Sequence, residues 1–225
     1  MSRSPSGRPP SRHPSPPSSN RGLYLTLAGV AAVVVGLFVV AMIARGGGDT
    51  VAQTAPVTIQ GEPLPPFPQG AGGVADPATD PAVGQVAPTL EGVSFDGAPV
   101  RVAADGTPRL VLFLAHWCPH CQVEVTKIQQ MVDEGRLPDG VEVVAVSTSA
   151  SPGRPNYPPS AWLEREGWSS PVLVDDGASA AGQAFGLTSF PYGVYLDGDN
   201  RVVVRTAGAL DPALVELLLA QLAGT

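Results

Sequence analysis

Arg109-Leu110-Val111-Leu112-Phe113-Leu114-Ala115-His116-Trp117-Cys118-Pro119-His120-Cys121 changes pattern midway, and that change decides the fold. Its first six residues are a short apolar run suited to a strand buried on both faces, whereas from Pro119 onward the pattern is helical through about Glu134. Pro119 fits a first helical position, where its missing N–H would have been unpaired and its fixed φ suits helix entry. Cys118 then lies at the positive end of a helix, where unpaired backbone N–H groups favour negative charge on its sulfur. Cys121 follows within the first turn, so the two sulfurs can close a small ring. One can attack a substrate disulfide and the other resolve the mixed disulfide. His120 adds a positive charge beside the pair when protonated, which would stabilise the Cys118 thiolate and make the oxidised form a stronger oxidant.

Two plainer explanations compete with the redox pair. His116 and His120 flank the cysteines, but two thiols are too few for a four-thiolate zinc site, and His120 inside the CxxC should point away from an ion held by both sulfurs. Structural thiols are expected inside an element, not across a strand-helix junction. The cysteines are therefore taken as a working pair, with no metal and no cofactor. His116 is expected as a surface loop residue without a role.

Outward from this segment, residues 141–146 make a second buried strand, followed by a polar, Pro-rich loop over 147–159 and a short helix over 160–166. Residues 172–174 form a third strand or edge segment, and 178–185 a helix ended by Gly186. Residues 194–196 and 202–204 flank Asp197-Gly198-Asp199-Asn200, a hairpin-turn composition, and a last helix occupies 212–222. The order β-α-β-α, then a hairpin and a helix, implies an α/β domain with a mixed sheet and helices on both faces.

The remainder of the 225 residues reads differently. Residues 1–22 hold seven Ser, six Pro and four Arg with almost nothing apolar, too little burial to offset ordering entropy, so a disordered tail is expected. Residues 23–44 contain no charge and as a helix would span about 33 Å, the thickness of a bilayer core. A cleaved signal peptide is the rival, but the apolar stretch is long and Ala41-Met42-Ile43-Ala44 offers no small-x-small cleavage pattern. The excess of arginine before this stretch, against Arg45 after it, predicts a single-pass anchor with the N-terminus in the cytoplasm and the rest outside. Residues 45–85, rich in Gly and Pro and without a sustained apolar period, are expected as a linker, with the folded domain over 86–225. All 20 acidic residues lie after position 48, against 8 basic ones there, a net charge of −12. A chain that acidic, without a basic stripe, is unsuited to nucleic acid.

The stretch from Val86 to the C-terminus resembles the membrane-anchored thioredoxin-like thiol:disulfide oxidoreductases of the TlpA/ResA type. The resemblance is carried by Ala87-Pro88-Thr89-Leu90 with Phe95-Asp96-Gly97, by Leu112 to Cys121 with Glu124, and by Gly186-Leu187-Thr188-Ser189-Phe190-Pro191 with Val194-Tyr195-Leu196-Asp197. It implies a thioredoxin-like mixed sheet flanked by helices and preceded by one transmembrane helix. It further implies that Pro191 is cis and lies opposite the dithiol, that Trp117, Pro119, His120, Phe190 and Pro191 shape the substrate groove, and that Glu124 handles protons for the pair. Two departures stand out: Leu112 occupies the place of the buried aspartate of cytoplasmic thioredoxin, and Thr126 that of a helix-kinking proline.

The leading expectation is thus an enzyme that exchanges disulfides on extracytoplasmic protein thiols, Cys118 attacking and Cys121 resolving, and is recycled by a membrane redox partner. The Pro-His pair within CPHC resembles strongly oxidising DsbA-type sites, so electron flow in either direction is left open, although the roughly 70 residues between Cys118 and Pro191 leave no room for the helical insertion of such enzymes. A peroxiredoxin-like peroxide reductase is an alternative, weakened by Ala115 where a hydroxyl would position peroxide. A non-enzymatic binding or metal-chaperone module is the other.

Overall fold

Every residue of the apolar run Arg109–Leu114 is buried, and it forms the central strand of the molecule. The computed structural model describes residues 52–68, 70 and 72–224. Its strands are β1 (Thr58–Gln60), β2 (Gly73–Val74), β3 (Thr89–Val93), β4 (Pro99–Val102), β5 (Arg109–Leu114), β6 (Glu142–Ser147), β7 (Val172–Val174), β8 (Tyr192–Leu196) and β9 (Val202–Ala207). Its helices are α1 (Pro119–Asp133), α2 (Pro159–Arg165), α3 (Ala180–Ala184) and α4 (Pro212–Leu222).

Six strands form one mixed sheet in the order β2-β9-β8-β5-β6-β7, with β5, β6 and β7 parallel and the other pairings antiparallel. Alternation along β5 feeds two cores. Leu110, Leu112 and Leu114 join Val125, Ile128 and Met131 of α1 and Val215, Leu219 and Leu222 of α4 on one side. Val111 and Phe113 join Ala181 and Ala184 of α3, together with Phe185 and Tyr192, on the other. The mixed sheet with helices on both faces is as expected, and the elements from β5 to α4 fall within a residue or two of their expected bounds, except that β9 runs three residues past its expected end at 204. Helix α1 is continuous past Thr126, whose hydroxyl donates to the Gln122 carbonyl one turn back at 3.0 Å. The missing proline leaves this helix regular.

The expected linker is corrected over its described part. The described residues from 52 to 224 form one compact unit, so the domain reaches back to near residue 52 rather than 86. β1 pairs with β3, which pairs with β4, in a three-stranded antiparallel sheet, while β2 extends the main sheet alongside β9. Leu64, Phe67, Ala75 and Ala82 are buried in the second core. Sparse apolar residues among prolines have no period to betray them, yet each finds a site on a surface built by other elements. Gly186 shows how closely the segment lies: it sits at φ 75°, and a Cβ there would come within 2.3 Å of the Pro65 carbonyl oxygen. Its own carbonyl accepts the Phe67 N–H at 2.8 Å.

Arg205 fastens the segment. It projects from β9 with no exposed surface, and Asp80, also buried, pairs with it. The Arg205 Nε donates to Asp80 Oδ2 at 2.7 Å, a second guanidinium nitrogen reaches Oδ1, and the third donates to the Pro65 carbonyl at 2.7 Å and the Tyr192 hydroxyl at 3.1 Å. Tyr192 in turn donates to the Phe185 carbonyl at 2.8 Å. The expected disordered tail and transmembrane helix, residues 1–22 and 23–44, lie outside the described residues. Among the described residues no helix is long and apolar enough to cross a membrane.

Removing one partner of a buried pair strands the other charge, so Asp80→Ala is expected to cost about 3–5 kcal/mol in urea unfolding, and Asp80→Leu combined with Arg205→Met distinctly less. Equal losses would show that the segment is not held by this pair.

Candidate active site

Cys118 caps α1 from an extended conformation, φ −85° and ψ 118°, its N–H donating to the Ala115 carbonyl at 3.0 Å and its carbonyl accepting from Gln122 at 3.2 Å. No side chain caps the helix, so the first-turn N–H groups face the Cys118 side. The two sulfurs differ in access. Cys118 retains 6% exposure, whereas Cys121 has none and accepts the Ala115 N–H at 3.5 Å. Both are free thiols. Burial pushes the Cys121 thiol far above its ordinary value, with further upward contributions from Cys118 and from the charge of Glu124, partly countered by the Ala115 N–H.

Glu124 is 4% exposed and lies one turn beyond Cys121. Its Oε2 accepts the Leu210 N–H at 3.2 Å, while Lys127 Nζ donates to the Leu210 carbonyl at 2.7 Å. Burial raises the Glu124 pKa, and the Leu210 hydrogen bond and the Lys127 charge pull the other way. Leu112 lies in the same apolar core as the two cysteines, so no carboxylate comes from that strand position.

The residues expected to shape a groove are brought to the same end of the sheet. β8 runs antiparallel to β5 with Tyr192 opposite Phe113, which sets Pro191 and Phe190 level with the segment leading to Cys118. The Phe190–Pro191 bond is cis, as the resemblance implied, and the Pro191 carbonyl accepts the Gly208 N–H at 2.8 Å. Phe190 meets Trp117 edge to face, ring centroids 5.6 Å apart. Pro119 and His120 are exposed at the head of α1.

His116 is not a surface residue. It is 1% exposed, and both ring nitrogens bind the loop after β6: Nδ1 with the Pro155 carbonyl at 2.7 Å, and Nε2 accepting the Ser151 N–H at 3.1 Å. That arrangement requires a neutral ring carrying its proton on Nδ1. Burial, and the nearby Arg154 charge, lower the His116 pKa, the Pro155 carbonyl opposing them. Asn156 Nδ2 donates to the His116 carbonyl at 3.2 Å, and Trp117 Nε1 to the Ser149 carbonyl at 3.0 Å. The Arg154 guanidinium lies over the Trp117 ring, 3.7 Å from its centroid. Neither Arg154 nor Lys127 was found from the sequence. Arg154 is 36 positions beyond Cys118 in an aperiodic loop, and Lys127 is legible only as an ordinary helix residue.

A family model described as Redoxin matches residues 78–217. The methylamine utilization protein MauD of Paracoccus denitrificans is 31% identical over 131 residues, which is 57% of this chain and 59% of that protein. The thiol:disulfide interchange protein HelX of Rhodobacter capsulatus is 29% identical over 122 residues, 54% of this chain and 64% of that protein. The chain thus spans less than two thirds of the length of each of these two relatives. Among solved structures, a DsbF homologue from Corynebacterium diphtheriae has a TM-score of 0.56 at 16% identity, covering 72% of this chain and 99% of that one. That likeness is one of fold.

Because the folded state holds the Glu124 proton more tightly than the unfolded chain, Glu124 favours folding at low pH and opposes it increasingly as pH rises from 4.5 through its raised pKa. Glu124→Gln, which can still accept the Leu210 N–H, is therefore expected to gain stability relative to the parent over that rise, read as the difference in urea midpoints across pH. A pH-independent difference would place Glu124 in ordinary solvent contact.

Proposed function

The chain belongs to the Redoxin family, and from that premise we propose that it is a thiol:disulfide oxidoreductase acting on protein cysteines through Cys118 and Cys121. The observation that carries this reading is the unequal burial of two thiols in one helical turn, with a buried carboxyl one turn further on. In the reducing direction the Cys118 thiolate attacks one sulfur of a client disulfide. The client S–S bond breaks, a Cys118–client disulfide forms, and one client thiolate leaves and takes up a proton. Cys121 then gives up its proton and attacks the Cys118 sulfur, forming the Cys118–Cys121 disulfide and releasing the second client thiolate. Two electrons pass to the client; in the oxidising direction every step reverses.

The buried sulfur is suited to the second step. Its thiol holds its proton at neutral pH, so attack requires an acceptor, and Glu124 supplies one whose raised pKa brings it nearer to working pH. Trp117, Pro119, His120, Phe190 and Pro191 form the groove in which an extended client segment lies, and His120 tunes the thiolate. The apolar stretch 23–44 anchors the chain in the cell membrane with the domain on the extracytoplasmic side, where a membrane redox partner recycles the dithiol. The direction of net flow is set by the reduction potential relative to that partner. A value near roughly −120 mV makes the domain an oxidant, and one near roughly −270 mV a reductant.

The order of attack separates the two cysteines. Cys121→Ser is expected to accumulate a client mixed disulfide on a non-reducing gel, because nothing resolves it, whereas Cys118→Ser is expected to trap none and to reduce insulin no faster than background. Trapping by Cys118→Ser instead would reverse the roles, and insulin reduction unaffected by either substitution would remove the dithiol from the reaction.

A further inference from the structure

Seven arginines lie in the described residues, and six of them use their guanidinium groups inside the fold. Arg101 pairs with Glu91, Arg109 with Asp105, Arg136 with Glu134 and Glu216, and Arg205 with Asp80, while Arg165 and Arg201 donate to carbonyls. Arg154 differs. It is exposed, and among the described residues its guanidinium has no hydrogen-bond or ion-pair partner; its contact is the face of Trp117, the residue immediately before Cys118.

That placement is built. The loop carrying Arg154 is held to the strand-helix junction by both nitrogens of the buried His116, by Asn156 on the His116 carbonyl, and by the Trp117 Nε1 bond to Ser149. Trp117 is fixed from a second side by Phe190. A guanidinium resting on an indole keeps its N–H donors at the ring's rim, where a planar carboxylate can meet them two at a time. The charge is also set against its surroundings, since the chain after position 48 carries −12. A broadly acidic partner is repelled by that field, but a single carboxylate presented beside the dithiol meets the one uncommitted guanidinium among the described residues.

We propose that Arg154 is a specificity-determining residue, its guanidinium receiving an aspartate or glutamate side chain that lies next to the reacting cysteine of the client. The proposal rests on the reading of Cys118 and Cys121 as an exchanging dithiol, and deepens it by naming the client chemistry: a segment with one acidic residue flanking its cysteine. Positioning falls to His116 and Trp117; Arg154 itself touches the client.

The test uses the full chain and three disulfide-linked peptides that differ only in carrying Glu, Gln or Lys beside the cysteine, with kcat/KM measured for each. The parent is expected to favour the Glu peptide over the Lys peptide about fivefold at low ionic strength, the ratio falling as salt is added. Arg154→Lys is expected to keep the preference in weaker form, Arg154→Gln to bring the ratio close to one, and Arg154→Glu to invert it. Inversion is a readout that a merely structural loss in the loop would not produce. The same ratio in the parent and in Arg154→Glu overturns the proposal while leaving dithiol exchange intact. Failure of the parent to react with any of the three peptides overturns the exchange reading, and this proposal with it.

Discussion

The double-sided burial of β5 is the constraint from which the rest of the molecule follows. Its odd and even positions enter different apolar cores, and its two edges are taken by β6 and β8, so the strand is fixed on four sides. Strand directions then do the assembling. β5 and β6 run parallel, so the segments that leave them emerge at one edge of the sheet, which is why the loop after β6 can close on His116 and Trp117. β8 runs the other way and begins at that edge, which brings Phe190 and Pro191 there. The site is thus gathered from three connections that lie far apart in the chain, and rigidity in the sheet passes directly to them.

A second constraint closes the opposite face. Arg205 points inward from β9, and an arginine with no solvent access is tolerated only when its donors are met and its charge balanced. Asp80, Pro65 and Tyr192 meet those donors together. Two of the three partners lie beside or between apolar residues, Leu64, Phe67 and Ala82, that complete the second core. The charge pair gives these few residues a defined position, because any shift of the segment would leave a buried guanidinium unpaired. Specific placement, more than net stability, is what such a pair contributes.

At the dithiol, one helical turn separates two thiols into different environments. Cys118 takes the junction, where it keeps some access to solvent, while Cys121 and Glu124 face the core. With Leu112 in the same apolar core as the pair, the carboxyl whose charge raises the pKa of the buried thiol comes from the same helix as the thiol itself. The geometry between them is then set by helix periodicity and is insensitive to small shifts between sheet and helix.

The sequence by itself determined the strand-helix switch at Cys118, the cysteine pair, the order of elements from β5 to α4, and the two-sided sheet. These are encoded in local patterns, an apolar run, a helical period and turn residues, that need no partner to be legible. Through its resemblance it also pointed to Glu124, Phe190 and Pro191. Tertiary structure alone decided that residues 52–85 belong to the domain, since scattered apolar residues among prolines acquire meaning only against a surface formed elsewhere. It alone decided that His116 is buried and that Arg154 covers Trp117, because a contact made 37 positions along the chain, from an aperiodic loop that follows a helix and a strand, leaves no trace in spacing. It also sharpened the opening segment: CPHC supplies two thiols of one kind, and only packing against the core leaves one of them slightly exposed and the other with no exposure at all.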